Sequence, residues 1–136
     1  MNIDRYHHQH ADIRSGVSQL RNLVQGGIAA NAEAIAQALI GMSTTIKFHL
    51  ASEDAMLYPA LNESSDRAVA ELGRRYQNEM RGLIGSYTEF SGKWRVASQI
   101  AAAPEQFRSE ANVVFKALHG RIQREDQELY PAVEAL

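Results

Sequence analysis

The chain contains no cysteine, which excludes disulfide bonds, thiolate nucleophiles and zinc sites built on thiolates. It also has no uninterrupted apolar run long enough to span a bilayer. Its first residues, Met1 to His7, are polar and form no apolar signal segment. We therefore expect neither a membrane span nor a secretion signal, and a cytoplasmic location is the default prediction.

An excess of positive charge is also lacking. Lysine and arginine total 14 against 16 aspartates and glutamates, the formal net charge is −2, and no long basic stretch occurs. Nucleic acid is therefore not an expected partner. No serine lies in an identifiable activating context, so nucleophilic hydrolysis is unsupported and we expect no enzymatic activity. At 136 residues, the chain is expected to form one domain, residues 1–136, that buries a core without disulfides.

What the chain does contain is an internal repeat. Residues 53–60 read EDAMLYPA and residues 125–132 read EDQELYPA, so six of the eight positions are identical. This is too many for chance in so short a chain, and the repeat indicates that the molecule is built from two related halves. The halves differ four residues before each copy, where His49 precedes the first and Arg121 precedes the second.

The spacing of apolar residues predicts an all-α fold. Apolar residues recur at alternating steps of three and four, and strand-like alternation is absent. The pattern predicts four helices, near residues 4–25, 32–58, 66–98 and 105–130. Because the connections are short, consecutive helices should be antiparallel neighbours, which predicts an antiparallel up-down-up-down four-helix bundle.

Local signals mark where these helices should begin and end. Asn31 is predicted to cap the second helix, a short polar run ending at Asp66 starts the third, and Pro104 suits the first turn of the fourth. The first helix should end near Gly26 and its neighbouring glycine. The second should break around Pro59, because proline disrupts a helix interior.

The first and third helices also match each other. With an offset of 70 residues, Tyr6 aligns with Tyr76, and Leu20 aligns with Phe90. The inward line of the second helix runs through Ile46, His49, Glu53 and Met56. The equivalent inward positions are therefore His10, His49 and Glu53 in one half, and Met80, Arg121 and Glu125 in the other.

These inward polar residues form a candidate metal site. A buried carboxylate costs several kcal/mol unless it is paired or coordinates a metal. His49 and Glu53 lie one helical turn apart, so both can reach one cation between helices, and His10 adds a second imidazole from the neighbouring helix. Two imidazoles with carboxylate oxygens, including those of Glu125, suit a first-row transition metal such as iron, manganese or zinc.

A metal-free interpretation of the same residues remains open. His10 would then be a hydrogen-bonded core histidine, and Glu125 would pair with Arg121, which lies one turn away. The remaining polar candidates, which are expected to be solvated, are His7, His8, His119 and Glu79. An alternative is that Glu79 or His119 serves as an additional ligand, and a metal content near two ions per chain would indicate this.

Taken together, the motifs resemble the hemerythrin-like (HHE cation-binding) family over the whole chain. They are His10-x-x-Ile13, His49-x-x-x-Glu53-Asp54-x-x-Leu57-Tyr58-Pro59 and Glu125-Asp126-x-x-Leu129-Tyr130-Pro131. The resemblance implies an antiparallel four-helix bundle that holds two non-haem irons bridged by carboxylates. Carried onto this chain, it implies His10 and His49 as terminal ligands of one iron, with Glu53 and Glu125 as bridges.

The chain departs from the family pattern at the second metal position. The third-helix histidine of the family corresponds to Met80, and its fourth-helix histidine corresponds to Arg121. We therefore expect one ion per chain, with iron as the cofactor, and no reversible oxygen binding of the two-iron kind. A di-iron oxidase is disfavoured because no Glu-x-x-His pair occurs.

Two functions follow from this pattern. The first is a non-enzymatic metal-binding protein with one intact position, serving as an iron-sensing, oxygen-sensing or signalling module. The second is a metal-free interaction or signalling protein in which Arg121 neutralises Glu53 and Glu125. A protein partner or a second copy of the chain is compatible with either function.

Overall fold

The computed structural model describes residues 1–136 and contains helices but no strands. The helical elements in chain order are α1 (Asp4–Gln25), α2 (Ala32–Ser52), a π-helical turn (Glu53–Leu57), α3 (Tyr58–Asn62), α4 (Arg67–Lys93), α5 (Ala97–Ala102), α6 (Pro104–Arg124), a second π-helical turn (Glu125–Leu129) and α7 (Tyr130–Glu134). Each π turn is continuous with the α-helices on either side, so the chain forms five continuous helical segments. None of these helices is both long enough and apolar enough to cross a membrane.

The fifth segment corrects the prediction of four helices. The third helix was expected to run to residue 98, but α4 ends at Lys93 and α5 is a separate short helix. The chain leaves the helix at Trp94, whose ring is buried edge-on against Phe107 at a centroid distance of 5.4 Å. Gly92 lies in the last turn of α4 and weakens the helix there, while no proline lies near the break. The packing of Trp94 against the core accompanies this local signal.

The predicted break at Pro59 is wrong, because the chain remains helical through Asn62. In the preceding π turn, the Tyr58 N–H donates to the Glu53 carbonyl, five residues back, instead of four. Pro59 then enters α3 in its first turn, where a missing N–H is tolerated. The second copy of the repeat has the same arrangement, with α7 beginning just before Pro131.

The π turn also overturns the prediction that Met56 faces inward. Its side chain is 52% exposed, whereas the neighbouring Leu57 is completely buried. A π turn contains an extra residue compared with an α-helical turn, so it rotates every later side chain relative to the 3.6-residue pattern. Glu53, at the start of the turn, keeps its predicted inward direction.

The other start and stop signals are mostly confirmed. Asp66 Oδ1 accepts a 3.0 Å hydrogen bond from the Ala68 N–H, and Pro104 occupies the first turn of α6. The turn after α1 uses Gly27 at φ +111°, a conformation that favours glycine. Asn31 precedes α2 as predicted but does not cap it with its side chain, which donates to the Leu23 carbonyl at 3.0 Å.

One glycine permits the close packing of α3 on α4. A Cβ atom added at Gly73 would lie 2.7 Å from Leu61 Cβ, a distance that real Cβ atoms do not tolerate. Phe90, Trp94 and Phe107 fill the core around the end of α4. Six polar or charged residues are also buried, namely Gln9, His10, His49, Glu53, Arg121 and Glu125.

Candidate metal centre

Four of the buried polar residues form one cluster. His10 from α1, His49 from α2, and Glu53 and Glu125 from the starts of the two π turns are each at most 1% exposed. One donor atom from each lies within 4.8 Å of the others. These are the four residues that the sequence predicted as metal ligands, and the fold brings all of them together. We call these four residues the His/Glu cluster.

Both histidines are fixed by hydrogen bonds on the side of the ring that faces away from the cluster. His49 Nδ1 donates to Gln9 Oε1 at 2.6 Å, and His10 Nδ1 donates to Asp126 Oδ1 at 2.8 Å. Neither acceptor oxygen can donate in return, so each Nδ1 must carry the hydrogen. Each ring therefore offers Nε2 to the centre of the cluster, and the two Nε2 atoms lie 3.1 Å apart.

The carboxylate oxygens complete the centre. Glu125 Oε1 lies 2.8 Å from His10 Nε2 and 3.4 Å from His49 Nε2. Glu53 Oε1 lies 3.3 Å from His49 Nε2 and is buried without a hydrogen-bond partner. The Tyr130 hydroxyl donates to Glu53 Oε2 at 2.9 Å and lies 2.9 Å from His10 Nε2. Two carboxylates and two ring nitrogens therefore lie close together in the buried centre of the cluster.

The pKa shifts show that this volume attracts positive charge. Burial and the charge of Glu125 raise the pKa of Glu53. Burial disfavours charge on His49, but the neighbouring carboxylates of Glu125 and Glu53 outweigh it and raise the pKa of His49 from 6.5 to about 9. Burial also opposes ionisation of Glu125, yet hydrogen bonds from His10 and His49, with the charge of Arg121, hold its pKa below its usual range. Protons therefore bind here in the absence of another cation.

The geometry of the cluster fits a transition-metal ion. Imidazole nitrogens lie about 2.0–2.1 Å from a bound zinc ion, so nitrogens of two ligands on one such ion are at most roughly 4.2 Å apart, and the two Nε2 atoms meet this condition. Acceptors on the outer nitrogens of His10 and His49 are the usual outer partners of metal-bound imidazoles. The unpartnered Glu53 Oε1 supplies an oxygen that a cation would satisfy.

Arg121 occupies the equivalent position in the second half of the repeat. It is 4% exposed, and its Nε donates to Glu125 Oε2 at 3.1 Å. Its Nη2 donates to the Tyr58 hydroxyl at 2.6 Å and to the Tyr76 carbonyl at 3.0 Å. The guanidinium carbon lies 4.5 Å from the centre of the Tyr76 ring. Met80, where the resemblance would require a histidine, is buried and offers no imidazole.

The predicted neutralisation by Arg121 is therefore only partly correct. The guanidinium forms its ion pair with Glu125 at 3.1 Å, and no ion pair joins it to Glu53. Its Nη1 lies 3.6 Å from Glu79 Oε2 and has no hydrogen-bond partner. Because Arg121 reaches one of the two glutamates, Glu53 depends on Tyr130, on protons or on a metal for its compensation.

Sequence reasoning did not identify four residues that support the cluster, namely Gln9, Asp126, Tyr58 and Tyr130. The repeat contained a usable signal for three of them, since Asp126 and both tyrosines lie at positions that are identical in its two copies. Asp126 accepts hydrogen bonds from His10 at 2.8 Å and from Arg14 at 2.6 Å. Gln9 carried no signal. The side chains that were expected to be solvated, those of His7, His8, His119 and Glu79, are exposed.

Comparison with known proteins identifies the family. A family model described as the hemerythrin HHE cation binding domain matches residues 1–133, which is nearly the whole chain. No match was found among curated proteins or among solved structures. With a buried cluster of two histidines and two glutamates contributed by four helical elements, the match leads to one conclusion. The chain belongs to the hemerythrin HHE cation-binding domain family.

Proposed function

We propose that this protein binds one iron ion through the His/Glu cluster. The observation that carries the proposal is the 3.1 Å separation of His10 Nε2 and His49 Nε2, with both Nδ1 atoms committed to outer acceptors. Two ring nitrogens held in this way, beside Glu53 and Glu125, form a ligand set suited to a first-row transition metal. Bound iron would supply a redox-active centre with affinity for small ligands.

The chain's own residues have defined roles in this proposal. Gln9 and Asp126 fix the rings of the two histidines, so that Nε2 of each is available to the ion. Tyr130 orients Glu53 through its hydrogen bond to Oε2. Burial of all four ligands excludes water, which strengthens their electrostatic attraction for a cation. The four long helical segments, arranged as an antiparallel bundle, would hold these residues in register.

The proposed stoichiometry is one ion per chain. Arg121 already places a positive charge against Glu125 Oε2, and Met80 provides no imidazole. A second cation beside Arg121 would meet like-charge repulsion with too few ligands. We therefore propose a non-enzymatic, cytoplasmic module that senses iron or oxygen or transmits a signal, without reversible oxygen binding by an iron pair and without nucleic acid or a membrane as partner.

A metal-free interaction or signalling protein is the second candidate. It is favoured by the connected hydrogen bonds from Arg121 and His10 to Glu125, which compensate this glutamate without an ion. The lack of any hydrogen-bond partner at the buried Glu53 Oε1 argues for the metal instead. The two functions therefore differ in what satisfies Glu53.

Metal content separates the two candidates directly. We expect protein purified without chelators to contain iron, and His49→Ala to lose it because one of the two imidazoles is removed. His8→Ala is the matched control, since His8 is exposed and lies on α1 beside the cluster. Elemental analysis of the three proteins provides the test. A wild-type protein without metal would support the metal-free function, and equal loss in both variants would show that the assigned ligands are wrong.

A further inference from the structure

A groove between α1 and α6 lies outside the His/Glu cluster. Its volume is about 650 Å³, and its apolar floor includes Ile13, Val17, Phe115 and Leu118. α1 packs against α2 much more extensively than against α6, which leaves this seam open. Val17 and Phe115 are only half-buried, so apolar surface remains accessible in the groove.

The groove continues along the same seam toward the far end of α1. A smaller recess shares Val17, Arg21 and Phe115 with the main groove and extends the apolar floor to Val24 and Phe107. In an α-helix, the twelve residues from Ile13 to Val24 span about 16 Å. With a C–C bond of about 1.5 Å, a zigzag chain of roughly twelve carbons has a similar length.

The rim of the groove is positively charged. Arg14, Arg21, Lys116 and, along the recess, Arg108 line it, and no carboxylate does so. This is notable because acids outnumber bases in the whole chain, 16 to 14. Arg14 is already bound to Asp126 at 2.6 Å, and Arg108 lies 3.7 Å from Glu105.

Arg21 and Lys116 differ from the other two cations. Both are exposed, and neither makes an ion pair or a side-chain hydrogen bond within the chain. They lie on opposite walls of the groove, one on α1 and the other on α6. An anion placed between them could be contacted from both helices, with charge-assisted hydrogen bonds as the source of affinity.

We propose that this groove binds a single-chain carboxylate amphiphile, a fatty acid of about ten to twelve carbons, the length that extends from Arg21 along the floor past Ile13. The carboxylate would lie between Arg21 and Lys116, and the apolar chain would cover Val17, Phe115 and the floor beyond. The volume falls in the range of small-molecule sites, about 300–1,000 Å³.

Calorimetric titration with dodecanoate, below the concentration at which it forms micelles, tests the proposal. We expect saturable binding of one molecule per chain, and binding about tenfold weaker in the double variant Arg21→Glu/Lys116→Glu, because both head-group contacts become repulsive. The matched control is Arg74→Glu/Arg81→Glu, which makes the same charge change at exposed residues of α4 and should bind as the parent does. All four positions are exposed, so both variants should fold, and helical circular dichroism checks this.

Several outcomes would overturn the proposal. They are an absence of saturable dodecanoate binding, equally tight binding of dodecyltrimethylammonium, and equal loss in the two double variants. Binding to vesicles that contain phosphatidylglycerol, or to an acidic amphipathic peptide, without binding of dodecanoate would assign the groove to a membrane or a protein instead. The metal-free protein should bind dodecanoate as well as the loaded protein does, so failure here leaves the metal proposal intact.

Discussion

Tyr58 and Tyr130 occupy the same position in the two copies of the repeat, but one contacts a cation and the other contacts a carboxylate. Tyr130 donates a 2.9 Å hydrogen bond to Glu53, inside the His/Glu cluster. Tyr58 accepts a 2.6 Å hydrogen bond from Arg121. Each tyrosine follows directly after a π-helical turn. The same backbone conformation therefore directs one tyrosine to the candidate metal ligands and the other to the guanidinium.

These two contacts reflect a difference between the two halves of the molecule. In one half, His10 and His49 supply ring nitrogens, and in the other half the equivalent positions are Met80 and Arg121. A buried guanidinium carries a permanent positive charge at neutral pH, whereas imidazoles help to neutralise the glutamates only when they bind protons or hold a metal ion. The two halves therefore compensate the charge of the buried glutamates in different ways.

The first prediction concerns Arg121. Replacing it with methionine should destabilise the metal-free protein by about 3–5 kcal/mol, because Glu125 would lose a buried ionic partner. Added metal should recover part of this loss, since an ion binds only the folded state. Thermal and urea denaturation with and without metal provide the measurement. Arg124→Met is the control, because Arg124 pairs with Glu79 at an exposed surface, and an unchanged melting temperature for Arg121→Met would refute the prediction.

The second prediction concerns Asp126 and its counterpart in the repeat, Asp54. Asp126→Ala removes the acceptor that holds His10 Nδ1, so metal affinity should fall by about 10- to 100-fold. Asp54 accepts a 3.3 Å bond from Gln77 at the surface, so Asp54→Ala should keep the affinity of the parent. Competition against a chromophoric chelator measures both. Similar affinities in the two variants would mean that the bond from His10 to Asp126 does not support metal binding.

The third prediction is a pH dependence of the metal-free protein. The pKa of His49 rises from 6.5 to about 9 on folding, and that of Glu53 is raised above 4.5. A group whose pKa is raised on folding stabilises the native state fully at pH values below its unfolded pKa. That stability is lost as the pH rises through the folded value. The free energy of unfolding should therefore decrease between pH 6.5 and 9, by up to about 1.4 kcal/mol per pH unit for each retained proton.

Urea denaturation in the presence of a chelator, at several pH values in this range, measures the slope. His49→Gln should reduce it, because that variant lacks the imidazole that holds the proton. With saturating metal this decrease should largely disappear, because metal-bound ligands hold no protons that the folded state could lose as the pH rises. A free energy of unfolding that stays constant or rises toward pH 9 in the metal-free protein would contradict the prediction.

The fourth prediction restores the second position. Met80→His together with Arg121→His would supply two imidazoles and remove the fixed charge beside Glu125. Metal content should then rise from one ion per chain toward two, while either substitution alone should be much less effective because one imidazole leaves the ion under-coordinated. Elemental analysis measures the change. A double variant that folds normally yet binds no more metal than its parent would show that positions 80 and 121 do not form a second site.

The sequence predicted the helical class and the members of the His/Glu cluster for the same reason. His49 and Glu53 lie one turn apart on an apolar face, a relationship that depends on local helix geometry alone. The repeat then placed Glu125 opposite Glu53, and the offset between the first and third helices placed His10 on an inward face. Regular helices with clear periodicity allow this kind of inference.

The features that sequence missed depend on contacts between distant segments or on departures from regular helix geometry. α4 ends where Trp94 packs on Phe107, and Gly92 alone did not predict this end, because α4 continues through three earlier glycines. The π turn exposes Met56, because one additional residue per turn invalidates the 3.6-residue pattern that placed it inside. Gln9 supports His49 across the interface of α1 and α2, and a contact between residues 40 positions apart leaves no periodic signal.

Anaerobic titration of the chelator-treated protein with ferrous iron tests the central claim most directly. After removal of excess metal, elemental analysis gives the number of irons bound per chain. The proposed His/Glu cluster, with Arg121 in the second position, predicts a value near one. A value near zero would contradict metal binding, and a value near two would contradict the assignment of Arg121 as the residue that replaces the second ion.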